Sequence, residues 1–166
     1  MNRMLTYTGL EVDIQNPALE SICIEDIAHS LSQQCRFTGH TSEFYSVAEH
    51  CVLLSERSSY PKWALMHDAA EAYISDIATP VKHLPKVHNV IRPLENKILA
   101  VIAEKFDLPW PMPEEVHQLD KLLGDSEFYS LMHKDNASDF HPPLWTPREA
   151  RTMFLIEYER LFNART

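Results

Sequence analysis

The sequence predicts an all-α domain, and three observations carry that expectation. Only 3 glycines occur in 166 residues, which leaves few positions for tight hairpin turns. Alanine, leucine and glutamate recur at helical spacing, and the 11 prolines supply most of the punctuation between apolar segments. Taken in order, the first twenty residues, with Tyr7-Thr8-Gly9 and Asn16-Pro17, lack a sustained helical period and suit a short irregular or extended pair at an edge. Ile24, Ile27, Ala28 and Leu31 fall on one stripe and predict a helix over roughly 24–34, followed by a loop at 35–40. Ser46 and Glu49 have the spacing of a capping box and open a helix over about 46–56. Pro61 suits a first helical turn. Trp63, Leu65, Met66, Ala69, Ala70 and Tyr73 then predict a buried central helix that stops before Thr79-Pro80. Pro93 opens a helix to about residue 106, 108–113 is a rigid connector, and a further helix covers about 114–132. The polar 134–143 stretch is too short to separate domains. Thr146 and Glu149 form a second capping box, starting a terminal helix to Phe162 whose apolar face is assigned to the core.

A chain of this length with 45% hydrophobic residues buries one core, so residues 1–166 are expected to form a single domain. The formal net charge of −9 argues against wrapping nucleic acid, because phosphate neutralisation needs lysine and arginine in excess. Any phosphate handled here then calls for a metal. Cys23, Cys35 and Cys51 are odd in number and unpaired in spacing, which suggests neither a disulfide framework nor a cysteine-built zinc knuckle. No apolar run reaches the roughly 20 residues needed to span a bilayer, so a cytoplasmic chain without membrane association is expected.

The informative chemistry is His67-Asp68 within the most apolar predicted helix, since both side chains are costly to bury without partners. A divalent cation is the simplest partner. Glu71, four positions after His67, would lie on the same face one turn along, where a non-ligating carboxylate can activate or orient water. Further ligands should come from other helices. His50 shares a stripe with Val47, Cys51 and Leu54, and Asp120 sits between Leu119 and Leu122-Leu123. Two imidazoles and two carboxylates suit manganese, iron, cobalt, nickel or zinc. Each residue also has a plainer reading: a surface His-Asp pair, a partly buried histidine, a solvated aspartate.

The lone histidine, the His-Asp pair and the distant aspartate resemble the HD-domain metal-dependent phosphohydrolases. The run His67-Asp68-Ala69-Ala70-Glu71 with Asp76 and Thr79-Pro80-Val81-Lys82 is similar to the branch containing bacterial 5′-deoxynucleotidases and compact phage-type dATP triphosphohydrolases. Arg36-Phe37-Thr38-Gly39-His40 followed by Tyr45-Ser46-Val47-Ala48-Glu49-His50 also looks like small phosphohydrolases of that branch, so the resemblance spans roughly 20–130. It implies a compact HD-type helical bundle with His50, His67, Asp68 and Asp120 as metal ligands and Glu71 as the catalytic acid. It also implies Arg36 on phosphate, Phe37 near the base or sugar, Asp76 near the deoxyribose and Lys82 on the phosphate chain. Among the remaining histidines His40 is the one suited to a phosphate contact, and no metal role falls to His29, His83, His88, His117, His133 or His141.

The expected activity is hydrolysis of a deoxynucleoside triphosphate, dATP first, to deoxynucleoside and triphosphate, with a second magnesium ion carried by the polyphosphate as an option. The alternatives are a 5′-deoxynucleotidase acting on monophosphates and, in another class, a non-catalytic module binding a nucleotide or a partner. The resemblance also implies a homo-oligomer, a dimer or a hexamer. Plainer roles stay open for the outer residues: Arg36 capping the first helix, Phe37 in the core, Asp76 in a turn and Lys82 in solvent.

Overall fold

In the computed structural model, which describes residues 3–132 and 139–163, the chain is mainly α-helical with a very small sheet at one edge. Strands β1 (Arg3–Leu5) and β2 (Glu11–Asp13) pair antiparallel with Met4 opposite Val12, and the buried Val12 pins the pair to the core. The helices are α1 (Ile24–Gln33), α2 (Val47–Ser55), α3 (Pro61–Met66), α4 (Glu71–Ile74), α5 (Thr79–Lys82), α6 (Pro85–Lys105), α7 (Glu114–Met132) and α8 (Pro147–Phe162). Every residue of α2 is buried, because its mostly small and apolar side chains are enclosed by α1, α3, α7 and α8. This helix is the axis of the fold. Trp63, Leu65 and Met66 of α3, Ile98 and Ile102 of α6 and Phe154 of α8 complete the core, and Phe154 with Ala150 places the terminal helix there. Among the described residues no helix is long and apolar enough to cross a membrane.

Two capping expectations separate here. At α8 the box is complete: Thr146 Oγ1 accepts from the Glu149 amide and the Glu149 carboxylate accepts from the Thr146 amide. At α2 only half forms. Ser46 Oγ accepts from the Glu49 amide at 3.0 Å, but the Glu49 carboxylate turns away and accepts from the amides of Leu144 and Trp145 at 2.7 and 2.9 Å. A buried carboxylate takes the two unpaired amides of an incoming loop in preference to one cap amide.

The structure corrects the predicted central helix. It is broken: α3 ends at Met66, residues 67–70 form turns with amide-to-carbonyl bonds three residues apart, and α4 follows only to Ile74. The reason is local. His67 Nδ1 donates to the Ala64 carbonyl at 2.7 Å, taking the acceptor that the Asp68 amide would use in a continuous α-helix. Ser75, at φ +70°, then ends the segment. A second correction concerns Pro93, which lies inside α6 rather than opening it. Pro85 takes the N-terminal position, and Leu94, Ile98 and Ile102 dock the helix on the core directly after Pro93, which outweighs its missing backbone bond. Thr79-Pro80 begins the one-turn helix α5 instead of only ending its predecessor. Residues 133–138, which include His133 and the first part of the polar 134–143 stretch, lie outside the described residues.

Candidate metal centre

Three parts of the fold bring the candidate ligands together. The fully buried α2 carries His50 inward, the chain break after α3 presents His67 and Asp68, and α7 carries Asp120 across from them. His50 Nε2 lies 3.2 Å from His67 Nε2 and 3.0 Å from Asp120 Oδ1, and His67 Nε2 lies 3.7 Å from the same oxygen. Ligands bound about 2.0–2.2 Å from one cation stand about 3.0–3.5 Å apart; His50 has that spacing to both partners, and His67 and Asp120 stand slightly wider at 3.7 Å.

The opposite nitrogens strengthen this reading. His50 Nδ1 lies 2.6 Å from Glu127 Oε1, and His67 Nδ1 lies 2.7 Å from the Ala64 carbonyl. Both acceptors place the proton on Nδ1, so each Nε2 presents a lone pair to the other at 3.2 Å. Two lone pairs at that distance repel unless a proton or a cation lies between them. The surrounding charge favours either one: against the effect of burial, the Asp68 carboxylate holds the His67 imidazole well above its ordinary pKa. With a proton on Nε2, either imidazole donates to Asp120 and, against the same effect, holds its carboxyl far below the usual carboxylate range.

Asp68 is placed differently from the other three. Its Oδ2 lies 3.2 Å from His67 Nε2 and 3.6 Å from Arg36 Nη1, so it adjoins the triad on the His67 side. His67 holds its carboxyl down at about 2 against burial. Cys51, His67 and Asp68 form a second close group, but burial pushes the Cys51 thiol up to about 11. A thiol that keeps its proton is a poor ligand, so His50, His67 and Asp120 are the coherent donor set.

Glu127 was not among the residues singled out from the sequence, although it supports the site. Its side chain is fully buried; Oε1 accepts from Tyr45 OH at 2.5 Å and from His50 Nδ1 at 2.6 Å, and Oε2 pairs with Arg36 Nη2 at 3.0 Å. The signal was its position seven residues after Asp120, two turns along one face of α7. Arg36 is set by the backbone bond from its amide to the Tyr45 carbonyl at 2.8 Å, and its side chain pairs with Glu127 and Asp68 instead of capping α1. Phe37 and Thr38 adopt left-handed backbone at φ +53° and +56°. The Phe37 ring, half-buried, lies between the Arg36 guanidinium at 5.4 Å and Phe128 at 6.1 Å. His40 is exposed.

Glu71 is buried and stands apart from the donor triad. Its Oε1 accepts from Lys82 Nζ at 2.7 Å, whereas Oε2 is buried with no hydrogen-bond partner. Burial and the Asp68 carboxylate push its carboxyl well up, with Lys82 opposing. Lys82 also lies 3.4 Å from Glu95, so the two acids hold this lysine charged despite its burial. Asp76 is half-buried nearby. Its amide donates to Gln34 Oε1 at 2.8 Å while Gln34 Nε2 donates to the Glu71 carbonyl at 3.1 Å, so one glutamine of the chain after α1 fixes the whole 71–76 segment. Thr79, Lys82, His83, His88, Arg92 and Glu95 line a cavity of about 100 Å³ beside this lysine.

The chain is 36% identical to the uncharacterized protein YfdR of Escherichia coli strain K12, a match covering 99% of this chain and 98% of that protein. It belongs to the family of YfdR. It is also 34% identical to the uncharacterized protein RCAP_rcc00048 of Rhodobacter capsulatus over 72% of this chain, a match that spans 64% of that relative's length. No protein-family model matches the chain.

Proposed function

We propose that this protein is an HD-type, metal-dependent phosphohydrolase acting on deoxynucleotides, a triphosphohydrolase that prefers dATP. The observation that carries the reading is the pair of buried imidazoles whose Nε2 atoms face each other beside Asp120 while both Nδ1 atoms are tied elsewhere. His50, His67 and Asp120 would hold the cation, with Asp68 adjoining, and the nitrogen and oxygen donors suit manganese, iron, cobalt, nickel or zinc. When bound, such a cation polarises a phosphate oxygen and lowers the pKa of water at the site.

The other steps belong to side chains of the protein. Burial and the Asp68 carboxylate push the Glu71 carboxyl up, which suits it to carry a proton, and the unpartnered Oε2 is the atom from which a leaving oxygen would take it. Lys82 positions Glu71 through Oε1 and adds positive charge for phosphate oxygens. Arg36 stays charged between Glu127 and Asp68 and offsets charge on the same phosphate. Phe37 and Asp76 flank the site as candidates for base and deoxyribose. Two features support an extended phosphate chain over a monophosphate: the cavity beside Lys82, with His83, His88 and Arg92 in its lining, and the resemblance to dATP triphosphohydrolases. The retained, unpartnered Glu71 carboxylate oxygen favours an enzyme over a non-catalytic module.

The test is incubation with a panel of dNTPs and dNMPs and manganese, cobalt or magnesium, with products identified as triphosphate, orthophosphate or neither. Triphosphate from dATP is expected. His67→Ala should lose both metal and turnover, whereas Glu71→Ala should keep the metal and lose turnover by about 100-fold or more. Orthophosphate from dNMPs would move the reading to a 5′-deoxynucleotidase, and metal and turnover both surviving His67→Ala would end it.

A further inference from the structure

We propose that the groove between the C-terminal half of α1 and the first turns of α8 is a second anion site, which takes a phosphate-bearing small molecule. It is an open cleft of about 570 Å³ lined by His29, Gln33, Thr146, Pro147, Arg148 and Arg151, none of which belongs to the metal centre. That size is within the range of small-ligand sites. His29 and Gln33 stand one turn apart on one face of α1, and Arg148 and Arg151 stand one turn apart on the facing side of α8.

The charge is the first argument. A chain of net charge −9 here gathers two guanidiniums, an imidazole and an amide, with no carboxylate in the lining. Neither Arg148 nor Arg151 forms an ion pair among the described residues. The nearby acids are engaged elsewhere: Glu149 accepts from the Thr146 amide and hydroxyl at 2.9 and 2.8 Å, and Asp26 accepts from the Thr8 amide and hydroxyl at 2.7 and 2.8 Å.

Hydrogen bonding in the groove is also unmet, in a prepared geometry. His29 Nδ1 and Arg151 Nε are buried atoms without a partner, and leaving such groups unpaired is costly. Both side chains are nevertheless held in place. The Tyr7 ring stacks on His29 at 3.8 Å with planes 16° apart, and the Arg151 guanidinium lies 4.7 Å from the same ring while Nη1 donates to the Tyr7 hydroxyl at 3.3 Å. The amino end of α8 adds its dipole to this field. A carboxylate has two oxygens to offer donors from two helices. A phosphate monoester has three terminal oxygens and matches two forked guanidiniums, an imidazole and an amide more fully.

The shared chemistry is a phosphate group, whose source is either orthophosphate or a nucleotide 5′-phosphate. The experiment titrates the full-length protein with orthophosphate at constant ionic strength, reading affinity by calorimetry and location by the imidazole resonances of His29. Binding is expected to move the His29 resonances, to weaken about tenfold or more in Arg148→Glu, and to persist in His67→Ala. Arg148 is exposed and unpaired, and circular dichroism checks that its variant is folded. A dAMP arm, read at the His29 resonances so that binding at the metal centre is not counted, is run in Glu71→Ala, which blocks turnover: affinity equal to orthophosphate assigns the site to the phosphate group, and affinity at least tenfold tighter assigns it to a nucleotide. Undisturbed His29 resonances, full affinity in Arg148→Glu, or loss in His67→Ala alone, which would put the anion at the metal centre, each overturn the proposal.

Discussion

Glu127 gives the sharpest prediction, because one buried carboxylate orients a candidate ligand and pairs with an arginine at once. In Glu127→Gln the shape is kept, but the amide must present its NH2 either to Arg36 or to the Nδ1–H of His50, and both are donors. One donor-to-donor contact therefore arises in either orientation. Losing the group that orients a ligating histidine costs about 10–100-fold in metal affinity, or about 1.4–2.7 kcal/mol. Removing one partner of a buried ion pair also destabilises the fold by about 3–5 kcal/mol, since Arg36 is left with only Asp68 at 3.6 Å. Tyr45→Phe is the control. It removes one hydrogen bond to the same carboxylate, costing about 1.5–3 kcal/mol of stability, but leaves the bond to His50 and so the metal affinity close to wild type. Metal titration by calorimetry, with urea denaturation for stability, reads both quantities. Wild-type metal affinity in Glu127→Gln, or equal losses of affinity in both variants, would refute the positioning role.

Other consequences are more local. Burial raises the Glu49 carboxyl to about 7 despite the Trp145 and Leu144 amides, so its contribution to stability is complete below an unfolded value near 4.5 and is lost as pH rises through about 7. Glu49→Gln should flatten that limb of the stability profile in urea melts between pH 4.5 and 7, and an unchanged slope would show that Glu49 does not titrate there. Trp63 is buried and its Nε1 donates to the Pro109 carbonyl at 2.6 Å, so Trp63→Ala should destabilise by about 3–5 kcal/mol in chemical denaturation. Ser46→Ala removes the one capping bond of α2 and should cost about 1 kcal/mol, with the far-ultraviolet spectrum retained.

The sequence by itself determined the helical class, because few glycines and a helical apolar period leave little else for this chain to form. It also determined most helix starts, which are written in side chains local to them: Ser46 before α2, Pro61 at α3 and the Thr146–Glu149 box at α8. The residue types of a cation site were legible too, since His50 and His67 lie in apolar surroundings that require partners. Only the tertiary structure decided which atoms meet. The break after Met66 exists because His67 reaches back to a carbonyl, a choice that no periodicity records, and that break turns the imidazole toward α2. Glu127 and Tyr45 are 82 residues apart, and their pairing depends on how α7 lies along α2. The two halves of the α2 capping box parted for the same reason: the loop before α8 offered Glu49 two unpaired amides. Local pattern sets which element forms; the partner of a buried polar group depends on what folding brings beside it.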